Sequence, residues 1–114
     1  MEEFSSFHDW YIDRVEIVDS ELMLYLHFYK ERAEICFFGV VRCFINNFLM
    51  QNIIYEAKLT SIKRESELFL FARKRLEQVY PTPKADDGTN IVMFTPSVGA
   101  DILIEFNGFK VTRI

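Results

Sequence analysis

The chain has 114 residues, of which 50% are hydrophobic and 26% charged, with only 4 Gly and 3 Pro. That balance excludes a fibre, a disordered tail and a disulfide scaffold, and the length suits a single domain over 1–114. The net charge of −4 opposes non-specific nucleic-acid binding, which needs Lys and Arg against phosphate, while the 16% aromatic content, 12 Phe among it, is high for core material alone.

The start, Met1-Glu2-Glu3-Phe4, is acidic and lacks the apolar segment of a signal peptide. No later stretch reaches the ~20 apolar residues of a membrane span. The expectation is a soluble cytoplasmic protein without a membrane partner. Phe7-His8-Asp9-Trp10-Tyr11 is the densest polar–aromatic cluster. A carboxylate can orient an imidazole for acid–base work. On an extended strand, however, His8 and Asp9 point to opposite faces and do not pair. The plainer reading is a lead-in whose aromatics staple it to the core.

Period-two alternation predicts a strand over Tyr11–Val18, with Tyr11, Val15 and Ile17 on one parity and Asp13 breaking the series. Asp19-Ser20 is a turn signal. Leu22–Tyr29 then sets Leu22, Leu24, Leu26 and Phe28 against Met23, Tyr25, His27 and Tyr29. Read as an exposed apolar face, Met23, Tyr25 and Tyr29 offer a homodimer contact. His27 reads as a structural histidine. Lys30-Glu31-Arg32 is expected as a charged hairpin loop, and the next strand starts at Ala33.

Gly39 marks a bulge or bend within extended chain. The cysteines, Cys36 and Cys43, are seven residues apart. On a strand that is roughly 23 Å, beyond the ~7 Å reach of a disulfide, so both are expected as buried free thiols. Asn46-Asn47 suits a turn, and the amides Asn46, Asn47, Gln51 and Asn52 around Phe48 read as a loop locked by hydrogen bonds to backbone, or as a polar recognition loop. Ile53–Thr60 alternates with Ile53, Tyr55, Ala57 and Leu59 inward and Ile54 as the exception.

After Ser61 the period becomes helical. Leu68, Ala72, Leu76 and Val79 recur at that spacing, as do Phe69, Ala72 and Tyr80, which predicts one α-helix around 66–80, capped by Ser66 and stopped by Pro81. Arg73-Lys74-Arg75 on it is a compact basic patch that reads as a solvated face. Pro81–Asn90 is an exposed loop, and Ile91–Thr95, Asp101–Phe106 and Phe109–Ile114 are strands. Asn107-Gly108 between alternating runs is a hairpin signal. The fold class is α+β, mostly β: a strongly bent antiparallel sheet of about six to seven strands, open or partly closed and barrel-like, with one helix.

The chain contains no GxSxG elbow, phosphate-cradling loop or GxGxxG, and no His, Cys and carboxylate spacing of a metal site. No catalytic residue, metal or cofactor is expected. Charge is unevenly spread: Met1–Glu21 carries a net −6, and Lys58–Leu76 a net +4. An acidic stretch beside aromatics can steer and anchor a basic protein.

Several short steps carry a likeness to a known family. They are the opening Phe7-His8-Asp9-Trp10, the Phe38-Gly39-Val40 step, Asn47-Phe48 before Asn52-Ile53-Ile54, and Ser97-Val98-Gly99-Ala100 before the last strands. Together these resemble the small bacterial proteins of the immunity protein 50 type in polymorphic toxin systems. The likeness spans most of the chain, and its motifs specify turns rather than chemistry. It implies a binding role, neutralising a toxin by covering its surface, and carries over no active-site residue.

Two functional readings follow. The first is a non-enzymatic protein-binding module whose partner is another protein, such as a basic toxin domain. Its candidate binding residues are His8, Asp9, Trp10, Tyr25, His27 and Tyr29. The second is a small-ligand binder or enzyme that uses a cavity in the curved sheet, with His8, His27 and Tyr25 as its polar groups.

Overall fold

The computed structural model describes residues 2–61, 67–79 and 90–114. In chain order the elements are α1 (Glu2–Ser5), β1 (Tyr11–Val18), β2 (Glu21–Phe28), β3 (Glu31–Phe38), β4 (Arg42–Asn46), β5 (Ile53–Ser61), α2 (Glu67–Val79), β6 (Asn90–Val98), β7 (Asp101–Phe106) and β8 (Gly108–Arg113). The alternating runs become strands, and the 3.6-residue period becomes α2. Its Ser66 cap, the Tyr80 position and the Pro81 stop lie outside the described residues.

β1, β2 and β3 form a meander with two-residue turns at Asp19-Ser20 and Tyr29-Lys30. Asp19 and Tyr29 both sit at φ 55°. Such turns match the strand twist only with left-handed backbone in the loop. The expected Lys30–Arg32 loop is therefore displaced by one residue, and β3 already begins at Glu31.

The eight strands make one antiparallel sheet in the order β4-β7-β6-β5-β1-β2-β3-β8. This corrects the expectation of six to seven strands. β3 and β4 are two segments of one run kinked at Gly39, and β7 and β8 are two segments kinked at Asn107. Val41 N–H donates to Glu105 O, and Asn107 N–H donates to Phe38 O, so the β4–β7 and β3–β8 ladders meet at this corner. Gly39 is at φ +59°, and a Cβ there would lie 2.6 Å from the Asn107 amide nitrogen. The Asn107-Gly108 signal thus marks a corner and not a hairpin, because β7 pairs with β4 and β6 while β8 pairs with β3.

The sheet is bent back on itself. Phe37 on β3 and Phe94 on β6 are four strands apart in the order, yet their ring centroids are 6.5 Å apart. A flat sheet would separate them by roughly 19 Å. Phe106 on β7 lies still closer to Phe37, at 4.8 Å. The two ends of the order, β4 and β8, do not pair with each other, so no ladder closes the sheet.

The concave side holds the main core: Leu22, Leu24, Leu26, Ile35, Phe37, Val92, Phe94, Ile102, Ile104 and Phe106. α1 and the turn after it add Phe4, Phe7 and Trp10 to the same core. Phe4 packs between Phe37, Phe94 and Phe109, and Trp10 meets Phe7 edge-on at 5.0 Å and stacks on Phe28. The N-terminal aromatics are therefore core residues, as the staple reading expects. α2 covers the convex side over β4, β6 and β7, packing Phe69, Ala72 and Leu76 on Ile91 and Leu103. β7 is accordingly buried on both faces. Among the described residues, no helix is long and apolar enough to cross a membrane.

Candidate binding surface

The convex side over β1, β2 and β3 stays open to solvent, and a bulge decides what it displays. Tyr11 pairs with His27 and Ile12 with Leu26, but Arg14, not Asp13, pairs with Tyr25. Asp13 is the extra residue. An inserted residue reverses the parity of everything after it and re-aims its own side chain. Tyr11 before the bulge and Arg14 and Glu16 after it consequently share the convex side, while Ile12 and Val15 face the core. The break in alternation at Asp13 was the visible signal for this. A similar irregularity around Tyr55 explains why Ile54 is buried and Tyr55 exposed, contrary to the simple alternation.

Both Asp13 carboxylate oxygens lie within 2.8 Å of His27 Nδ1. The His27 ring stacks on Tyr11 at 4.8 Å and 22°. This fixes the imidazole from two sides and leaves Nε2 for another partner. Around the pair, Asp9, Tyr11, His27, Phe28, Tyr29 and Ile53 line an open pocket of about 460 Å³. Tyr29 is 86% exposed and leans edge-on against Phe28 at 4.6 Å. Its left-handed backbone is unusual for a bulky residue and holds the phenol out of the turn. Asp9, also left-handed at φ 71°, turns the chain into β1.

Of the six residues singled out from sequence, Asp9, His27 and Tyr29 meet at this pocket. Tyr25 lies farther along the same surface, where its hydroxyl donates to Glu16 Oε1 at 2.9 Å and the Arg14 guanidinium covers its ring at 4.0 Å. The Tyr25 hydrogen bond is the main cause that raises the Arg14 pKa above its ordinary value. This capped, hydrogen-bonded ring is not the apolar strand face that the Met23–Tyr25–Tyr29 reading expected. His8 lines a different depression with Tyr55. It does pair with Asp9, at 3.2 Å, because residues 6–9 form a turn and not an extended strand. Trp10 is 4% exposed and is removed from any binding surface; Arg113 closes over it and over Phe7. Tyr11, Phe28 and Ile53 complete the pocket, and the sequence had not marked them as binding residues.

The amide-rich loop is locked as one of its two readings required. Asn52 is buried, and its Oδ1 accepts from Leu49 N–H and Ala100 N–H while its Nδ2 donates to Leu49 O and Ile12 O. Gly99, at φ +84°, lies so close that a Cβ would collide with Asn52 Oδ1. The lock holds Phe48, Leu49 and Met50 outward, all exposed. On α2 the basic patch is partly engaged: Arg75 pairs with Asp101 at 3.6 Å and covers Phe44, and Arg73 lies over Phe69.

Arg42 and Glu105 had no signal in the sequence. They sit opposite each other on β4 and β7, with Nε to Oε1 2.6 Å and side chains 2% and 0% exposed. Cys36 and Cys43 form no disulfide and are half-buried. Burial pushes the Cys36 thiol pKa up, and the nearby Glu21 carboxylate adds to it. Among the described residues, no three His, Cys, Asp or Glu side chains could hold a metal ion. Comparison with protein-family models, curated proteins and solved structures finds no match to this chain.

Proposed function

We propose that this chain is a non-enzymatic protein-binding module that receives a basic partner protein on the open convex surface of β1 and β2. The observation that carries the reading is the pocket around His27, where the Asp9 carboxylate and the Tyr11, Phe28 and Tyr29 rings lie side by side. Exposed aromatic rings supply anchors, and carboxylates select a cationic partner and speed its approach. The Met1–Glu21 stretch, from which Asp9 comes, carries a net −6 in the sequence, the sign that attracts a basic partner. The bent sheet serves as a partly closed, barrel-like support, and two thiols outside any disulfide suit a reducing cytoplasm. A toxin-neutralising immunity protein is the class of module that the resemblance in the sequence suggests, with a basic toxin domain as the partner.

The cavity reading has less support, because the concave side is filled by phenylalanine rings in mutual contact. An acid–base role would draw instead on the Asp13–His27 pair, whose geometry orients an imidazole toward the surface pocket.

The test is capture from native cytoplasm on the immobilised chain, beside a variant carrying Asp9→Asn and Tyr29→Asn. Asn tolerates left-handed backbone, so both turns survive the change. The expected result is a stoichiometric basic protein retained by the native chain and lost by the variant, with unchanged circular dichroism. Equal retention by both chains, or no stoichiometric partner, overturns the reading.

A further inference from the structure

β1 has a partner along its whole length on one side only. It pairs with β2 from Tyr11 to Val18, but β5 meets it at a single position, Tyr11 opposite Ile53. Backbone bonds continue this contact through Asp9 N–H to Ile54 O, Ile54 N–H to Trp10 O and Ile12 N–H to Asn52 O, and there the chain of β5 departs. Beyond Ile12, no ladder among the described residues occupies that side of β1. The strand that remains, Asp13–Val18, ends in Ile17 and Val18, which are 56% and 58% exposed. An open edge with exposed β-branched residues is a template for another strand.

We infer that this edge pairs with the same edge of a second copy of the chain, as a two-fold antiparallel extension of the sheet. Residues directly opposite in an antiparallel pair face the same side, so a two-fold register must be centred on one residue. Centring on Arg14 or on Glu16 sets like charges against each other. Centring on Ile17 sets Glu16 against Val18 and leaves Arg14 beyond the strand. Centring on Val15 sets Val15 against Val15 and Arg14 against Glu16 of the second copy, twice by symmetry. Opposite charges directly across a strand pair stabilise it, and like charges destabilise it. The edge is thus complementary to itself in one register. Extension at the edge leaves the convex surfaces of β1 and β2 uncovered, so the dimer and the binding of a basic partner are independent.

Sedimentation velocity of the full chain across a concentration series tests this, with three variants: Arg14→Glu, Glu16→Arg and the double exchange. Arg14 and Glu16 are both solvent-facing, and the double exchange controls for any loss of fold. The expected result is a reversible dimer for the native chain, weakened about tenfold or more in each single variant by two like-charge contacts and restored in the double exchange. A chain that stays monomeric throughout the series overturns the dimer. A dimer indifferent to the single changes, or one that the double exchange fails to restore, overturns the edge register.

Discussion

Among the described residues, the convex side of the sheet carries two contacts between a carboxylate and a basic side chain on neighbouring strands, and they live in different surroundings. Over β4, β6 and β7, α2 lays Phe69, Ala72 and Leu76 on the strands, and Arg42–Glu105 lies on that same side with almost no exposure. Over β1 and β2, Asp13–His27 keeps 39% and 34% of its side-chain surface in solvent. Similar chemistry therefore has different consequences. A buried charge that loses its partner keeps its desolvation cost, whereas an exposed one is rescued by water. On the convex side, the covered half spends its side chains on packing, and the open half leaves its side chains in solvent.

The largest expected effect comes from breaking the covered pair. Glu105→Ala leaves the Arg42 guanidinium buried without its carboxylate and costs about 3–5 kcal/mol, read as a shift in urea midpoint. A loss below about 1 kcal/mol would mean that the pair is solvated, and the contrast between the halves would disappear. A smaller loss is expected at the seam. Asn52 joins Ile12 on β1, Leu49 in the β4–β5 loop and Ala100 at the β6–β7 turn, so it ties the open half to the covered one. Asn52→Ala deprives three backbone groups of good partners and should cost about 2–3 kcal/mol. Amide exchange should quicken at Leu49 and Ala100 before it does in β7. Uniform loss of protection across the sheet would show that the two halves unfold as one unit.

Local signals carried much of this arrangement. Tyr11–Val18 and Asp101–Phe106 are strands with the bounds that alternation gives, and Phe69, Ala72 and Leu76 face the sheet at helical spacing. Signals that depend on distant partners misled or were silent. Asn107-Gly108 has hairpin chemistry, but where a strand finds its neighbour is a long-range matter, and β8 finds β3. Arg42 and Glu105 are 63 positions apart, so neither position hints at the other. Trp10 looked like an anchor because the fold of α1 over the core cannot be read from four residues. At the pocket, His27, Asp9 and Tyr29 were visible as residue types. Their meeting depends on the bulge at Asp13, which the sequence shows only as a flaw in the alternation.

The open pair gives the smallest expected effect and the most direct test of the contrast. Asp13→Asn keeps the shape of the side chain and removes its charge. At this exposure the stability cost should stay within about 1 kcal/mol by urea titration. The bulge itself should persist, because the β1–β2 pairing on both sides of it is backbone-made. What should change is the placement of the imidazole: without the carboxylate at Nδ1 the His27 ring loses one of the two contacts that fix it, so its ring-proton NMR signals should shift at constant pH as it loosens from Tyr11. Unmoved ring signals would show that the 2.7 Å contact does not persist in solution. A stability loss as large as that of Glu105→Ala would place Asp13–His27 among the contacts that hold the fold. The pocket beside it would then be constrained by stability, and only Asp9 and Tyr29, at its rim and outside that pair, would be left free to meet a partner.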